Sequence, residues 1–179
     1  GYDALTTNTT GSHNTAVGHT ALEGNTTANN NTAIGQLSME DNSTGAQNTA
    51  IGTSSLQYNT TASNNTAMGY AALEVNTTGH SNVAVGYRAL DSNTTANENI
   101  AVGFRAMEDS TTGTGNVAVG KSALAGNTTG SYNTAVGLNA LETSDVDSNT
   151  AFGTSALRNT TTGGQNAVSY THLTLPTRL

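Results

Sequence analysis

The stretch Asn133-Thr134-Ala135-Val136-Gly137-Leu138-Asn139-Ala140-Leu141 decides the fold, because the chain repeats its pattern. The Asn that opens it also stands at Asn14, Asn31, Asn48, Asn65, Asn82, Asn99 and Asn116, at steps of 17 residues. The next step, to Asn149, is 16 residues, and the step to Asn166 is 17 again. Nine units therefore lie between Asn14 and Asn166. Each begins with Asn, then Thr, Val or Ile, then Ala, a large apolar residue and Gly. Ala or Ser with Leu or Met follows, and Asn-Thr-Thr-Gly/Ala closes most copies. A fixed short period marks a repeat architecture, whose units bury apolar surface only by stacking.

Helical repeats need roughly 33 or more residues, so a shorter unit points to β structure. Thr-Ala-Val-Gly reads as a short strand ended by Gly. Ala-Leu reads as a second short segment, a strand or one helical turn. Asn-Thr-Thr-Gly reads as a turn. The fold predicted for residues 1–166 is all-β: a β-solenoid or β-roll of 17-residue coils. Nine coils stacked about 4.8 Å apart make a rod of roughly 43 Å.

Composition agrees with an array better than with a globule. Leu, Val, Ile and Phe together supply 28 of 179 residues, low for an ordinary core. Only 9% of the residues are charged, and the apolar ones recur in register, so stacking is favoured over disorder. There is no Cys, hence no disulfide or thiolate metal site. The net charge of -7 and the five Lys and Arg argue against nucleic-acid binding. No apolar run is long enough to span a membrane as a helix. Gly1-Tyr2-Asp3-Ala4-Leu5 matches Gly69-Tyr70-Ala71-Ala72-Leu73, so the chain starts in mid-repeat and is read as a fragment of a longer array.

Two apolar ladders are expected to face each other inside the coil. One is Val17, Ile34, Ile51, Met68, Val85, Val102, Val119, Val136 and Phe152. The other is Leu22, Met39, Leu56, Leu73, Leu90, Met107, Leu124, Leu141 and Leu157. Neighbours in a strand point to opposite faces, so the Ala before each member of the first ladder is expected to point outward. These are Ala16, Ala33, Ala50, Ala67, Ala84, Ala101, Ala118, Ala135 and Ala151. An outward position held to Ala in all nine copies suggests close contact with another chain. The expected assembly is a parallel homotrimer with this Ala ladder as its inter-chain seam.

Asn-Thr-Ala-Val-Gly, followed by Ala-Leu and Asn-Thr-Thr-Gly, resembles repeats of phage tail-fibre-like proteins. The Ala-Val-Gly and Ala-Ile-Gly cores also resemble the head repeats of trimeric autotransporter adhesins, whose unit is usually shorter. The resemblance covers Gly1 to about Asn166. It implies an elongated, trimeric module at a cell surface or on a virion. After Asn166 the repeat fails. Residues 167–179 read as a non-repeat tail, and Val168-Ser169-Tyr170-Thr171-His172-Leu173-Thr174-Leu175-Pro176-Thr177 resembles a translated sequencing-adaptor read-through.

Sites of chemistry are sparse. His13, His19, His80 and His172 occupy unrelated repeat positions and form no metal-binding spacing. Glu23, Glu40, Glu74, Asp91, Glu108 and Glu142 share one position, which reads as a solvated edge. A carboxylate row of this kind could alternatively hold a cation or act as an acid–base pair. Sequons at Asn25, Asn42, Asn59, Asn76, Asn93 and Asn127 are candidate glycosylation sites, against a reading as hydrogen-bonded turns. Thr-Thr pairs such as Thr60-Thr61 raise an ice-binding face, which strand alternation disfavours. Tyr70, Tyr87 and Phe104 form a consecutive aromatic strip.

The expected function is a structural or adhesive shaft of an extracellular or virion fibre that spaces or presents receptor-binding tips. Its expected partner is itself, with a surface glycan or protein receptor reached through domains outside this chain. No cofactor, metal, nucleic acid, membrane contact or enzymatic activity is expected. The alternatives are a monomeric glycan- or ice-binding solenoid and, less favoured, a polysaccharide-degrading tail spike.

Overall fold

A computed structural model describes residues 1–169. Ten three-residue strands recur once per repeat: β1 (Thr15–Val17), β2 (Thr32–Ile34), β3 (Thr49–Ile51), β4 (Thr66–Met68), β5 (Val83–Val85), β6 (Ile100–Val102), β7 (Val117–Val119), β8 (Thr134–Val136), β9 (Thr150–Phe152) and β10 (Ala167–Ser169). They form one parallel sheet in sequence order. The register is that of the repeat: Ala50 pairs with Ala67, and Ile51 with Met68. The chain is a parallel β-solenoid that makes one turn per unit.

The rest of each coil is hydrogen-bonded to its neighbours as regularly as the strands are. Leu56 N donates to Ala72 O at 3.0 Å, Ser54 N to Gln36 O at 2.9 Å, and Thr77 N to Thr94 O at 3.0 Å. Stacking thus satisfies turn amides that an isolated unit would leave to water.

Two backbone devices close the coil. The Gly after each of β1 to β9 has positive φ, 133° at Gly86, and a Cβ built there would lie 2.4 Å from Gly103 O. Both the conformation and the close approach require Gly. Beyond it the backbone alternates into the left-handed region, at Ala71 (φ 52°) and Leu73 (φ 54°), and again at Ser81 (φ 59°). The Ala-Leu segment is therefore a tight arc, neither strand nor helical turn. A left-handed non-Gly residue costs about 1–2 kcal/mol. Full burial of the Leu side chain contributes about 1.5–3 kcal/mol and offsets that cost.

The interior overturns one expectation. Ala33, Ala50, Ala67, Ala84, Ala101, Ala118, Ala135 and Ala151 are fully buried inside the coil, and Ala16 is half-buried in the first one. Val17, Ile34, Met68, Val119 and Phe152 are exposed, and Ile51, Val85, Val102 and Val136 are half-buried. The strand alternates as expected, with the opposite sense. The reason is space. The Ala of the strand shares the interior with a second Ala/Ser row, with the Leu/Met row and with two rows of Asn. A coil this narrow has no volume left for a Val or Ile on the same side. The Ala ladder is an intra-chain core and cannot serve as a seam between chains. Leu22, Met39, Leu56, Leu73, Leu90, Met107, Leu124 and Leu141 are wholly buried, and Leu157 packs against them.

The sheet continues past the boundary read at residue 166. Ala167–Ser169 pairs with β9 in register, Ala167 opposite Thr150. The remaining part of the tail, 170–179, lies outside the described residues.

Candidate interaction surface

The outward side of the sheet is a long, uniform surface of the solenoid. Each of β1 to β9 places its first and third residues there. The first is Thr, Val or Ile, and the third is Val, Ile, Met or Phe. None of these positions carries a charge in any coil. Other exposed positions of the repeat vary freely, holding His19, Gln36, Tyr70, Phe104 and Lys121 at one site alone. Val17 is 56% exposed and Phe152 45%, so these side chains have no partner in their own chain that covers them.

Six of the sequon asparagines are not on a surface, whereas Asn159 is exposed and Asn8 half-buried. Asn25, Asn42, Asn59, Asn76, Asn93 and Asn127 have no exposure. The Nδ2 of Asn59 donates to Asn42 Oδ1 at 2.8 Å and to Ala62 O at 3.0 Å. Asn76 repeats this with Asn59 Oδ1 at 2.9 Å, and Asn93 with Asn76 Oδ1 at 2.7 Å. Asn127 donates to Gly130 O at 2.9 Å. A glycan on any of these nitrogens would replace a donor inside the core, so the folded chain offers none of them for modification. A second ladder uses the Asn that opens each unit. Asn31 Oδ1 accepts from Asn48 N at 2.9 Å while Asn48 Nδ2 donates to Ala62 O at 2.9 Å. Its signal in the sequence was the invariance of that Asn across the copies.

The acidic row is more than a solvated edge. Asp91 and Glu108 are nearly buried. Arg88 reaches Asp91 Oδ2 at 2.6 Å and Glu108 Oε1 at 3.0 Å, and Arg105 also pairs with Glu108. Arg158 pairs with Glu142, and Gln57 Nε2 donates to Glu40 Oε2 at 2.8 Å. Glu74 follows the pattern without a cation of its own. Burial, then the charge of Asp91 and a hydrogen bond with it, push its carboxyl up from the ordinary value. Among the described residues no three His, Asp or Glu side chains converge as a metal-binding set.

Tyr70, Tyr87 and Phe104 stack in series, with centroids 5.3 Å and 5.2 Å apart and planes within 12°. Lys121 sits 5.8 Å over the far face of Phe104. The ring faces are largely used on one another, so the strip presents edges outward and offers little of the flat surface on which a sugar stacks. The Thr pairs lie in bends, not strands, and still split: Thr26 is half-buried, its Oγ1 donating to Ser43 O at 3.1 Å, while Thr27 is exposed. His13, His19 and His80 are exposed and dispersed, and His172 lies outside the described residues.

The one short unit is repaired by a side chain. Asp145 Oδ1 accepts from Thr128 N at 2.9 Å, Thr129 N at 2.6 Å and Gly130 N at 3.1 Å. In regular coils a backbone carbonyl fills this role, as Thr60 O does for Ser43 N and Thr44 N. Partial burial pushes the Asp145 carboxyl up. The bonds from Thr129, Thr128 and Gly130 outweigh that effect and hold it below the ordinary aspartate value.

Comparison with protein-family models, curated proteins and solved structures returned no match to this chain.

Proposed function

We propose that the chain is a self-associating structural segment, a shaft of an extracellular or virion fibre built as a parallel homotrimer. The carrying observation is the outward sheet face: eighteen positions in nine strands, none charged and at least half of them large and apolar. A face held to this composition in every coil has no role inside its own chain, where the Ala side already fills the interior.

The area of the face is close to what association between copies needs. The face is roughly 43 Å long and about 10 Å wide, so each copy offers about 430 Å² and a pair joined through it buries about 900 Å². A stable interface needs about 1,000 Å². The resemblance to tail-fibre and autotransporter-head repeats supports the same reading.

The test is the solution mass of the 179-residue chain by light scattering. The expected value is three times the chain mass of 18.1 kDa. A folded monomer at high micromolar concentration overturns the proposal and leaves a single-chain solenoid.

A further inference from the structure

Three adjacent coils differ from the rest along the outward face. Val83 and Val85 on β5, Ile100 and Val102 on β6, and Val117 and Val119 on β7 make a block of six aliphatic side chains. In the other six coils the first outward residue is Thr: Thr15, Thr32, Thr49, Thr66, Thr134 and Thr150. Thr and Val share a β-branch and suit a strand equally. Exchanging a hydroxyl for a methyl at an outward position changes little within the chain. It changes what the face offers to something outside it. Ile100 is 41% exposed, so its side chain is available to a partner on this face.

Resting on the reading that copies associate through this face, we propose that the block anchors that association and sets its register, holding equal coils of each copy level. Repeats are ambiguous partners, because every coil resembles the next and a slip of about 4.8 Å restores most contacts. The block breaks the ambiguity. Slipping one coil puts the Val117 row opposite a Thr134 row, and slipping three leaves no Val or Ile first position opposite another. A level arrangement alone matches all three aliphatic pairs. This is the device of a coiled coil, where a few differing positions specify register within a uniform seam.

Cysteine probes test this cleanly, since the chain has none of its own. Thr32→Cys and Thr66→Cys chains are co-expressed and oxidised with oxidised glutathione. The two probes lie two coils, or about 9.6 Å, apart along the sheet. That exceeds the roughly 7 Å that a disulfide spans between Cα atoms. Level copies give like-with-like bonds, joining two chains at position 32 or two chains at position 66. These are expected to exceed mixed bonds between the two positions by about tenfold, the worth of burying about two methyl groups. In the Val83→Thr/Ile100→Thr/Val117→Thr background, that ratio is expected to fall toward the statistical value, or the chains to separate as folded monomers. Either result supports the anchor. An unchanged ratio in an intact assembly overturns it while leaving self-association standing. A parent chain that is monomeric and forms no inter-chain disulfide at either probe sinks both proposals.

Discussion

The Nδ2 of Asn59 donates to Oδ1 of Asn42 across a 2.8 Å gap, from one coil to the coil before it, with no solvent at either residue. The same Nδ2 also closes its own turn onto Ala62 O. One amide therefore ties each turn shut and joins it to its neighbour. An isosteric carboxylate cannot do this, because it lacks the donor and carries a charge into the core. Asn59→Asp is expected to destabilise the array by about 3 kcal/mol or more, read as a lower urea midpoint by circular dichroism.

The same burial makes a prediction about glycosylation. Expressed through a glycosylating secretory pathway, the folded fraction is expected to carry unmodified Asn25, Asn42, Asn59, Asn76, Asn93 and Asn127. Peptide-level mass spectrometry that assigns any glycan to its Asn checks this. A folded, fully glycosylated chain would contradict the Asn ladder.

The direction of the strand residues can be read from a pair of neighbours. Ala84 is fully buried and Val85 is half-buried on the opposite side. Ala84→Val overfills the coil and is expected to cost about 1–3 kcal/mol. Met68→Lys, outward on β4, is expected to change the stability of the single chain by no more than about 0.5 kcal/mol. It is also expected to block self-association by placing a charge on the uncharged face. If the two substitutions exchanged effects, the inward and outward assignment would be wrong.

Asp145 ties the short unit to acid sensitivity. Its folded carboxyl lies below the ordinary 3.8, so the unfolded chain binds its proton more readily. The stabilisation is fully present above that value and is lost as pH falls through the lower folded value. Asp145→Asn is expected to lower the melting temperature at pH 7 and to have little effect near pH 2. Melting curves at the two pH values check it.

Glu74 works in the opposite sense. Its folded carboxyl is raised above 4.5 by burial and by Asp91, so the folded chain holds the proton more tightly. Stability from this group therefore falls as pH rises from 4.5 through the folded value. Glu74→Gln is expected to raise the melting temperature at pH 7, and the gain is expected to vanish below pH 4. Gln57 already occupies the same repeat position one coil earlier and donates to Glu40, which shows that the coil accepts Gln there.

Much of the site was legible because the copies compare themselves. The constant Asn, Gly, Ala and Leu positions are the ones that the coil buries or bends, at Asn48, Gly86, Ala84 and Leu73. The left-handed Leu was not legible, since nothing in a Leu residue announces positive φ, and the conformation survives only because the stacked coil buries its side chain. The ion pairs of Arg88 with Asp91 and Glu108 were missed for a similar reason. They join residues three apart in the tight arc and residues one coil apart, neighbours only once the coil has closed.

By itself, the amino-acid order determined the period, the strand positions, the parallel register and the alternation of faces along each strand. Those are local or translational properties, set by spacing and by the pleat. Which face lies inside was decided only by the tertiary structure. Alternation distinguishes Ala from its two neighbours without saying which side curves inward. The closed coil settles that by volume: its interior, shared with Leu and two rows of Asn, admits a methyl group at Ala84 and leaves Val83 and Val85 to the outer face.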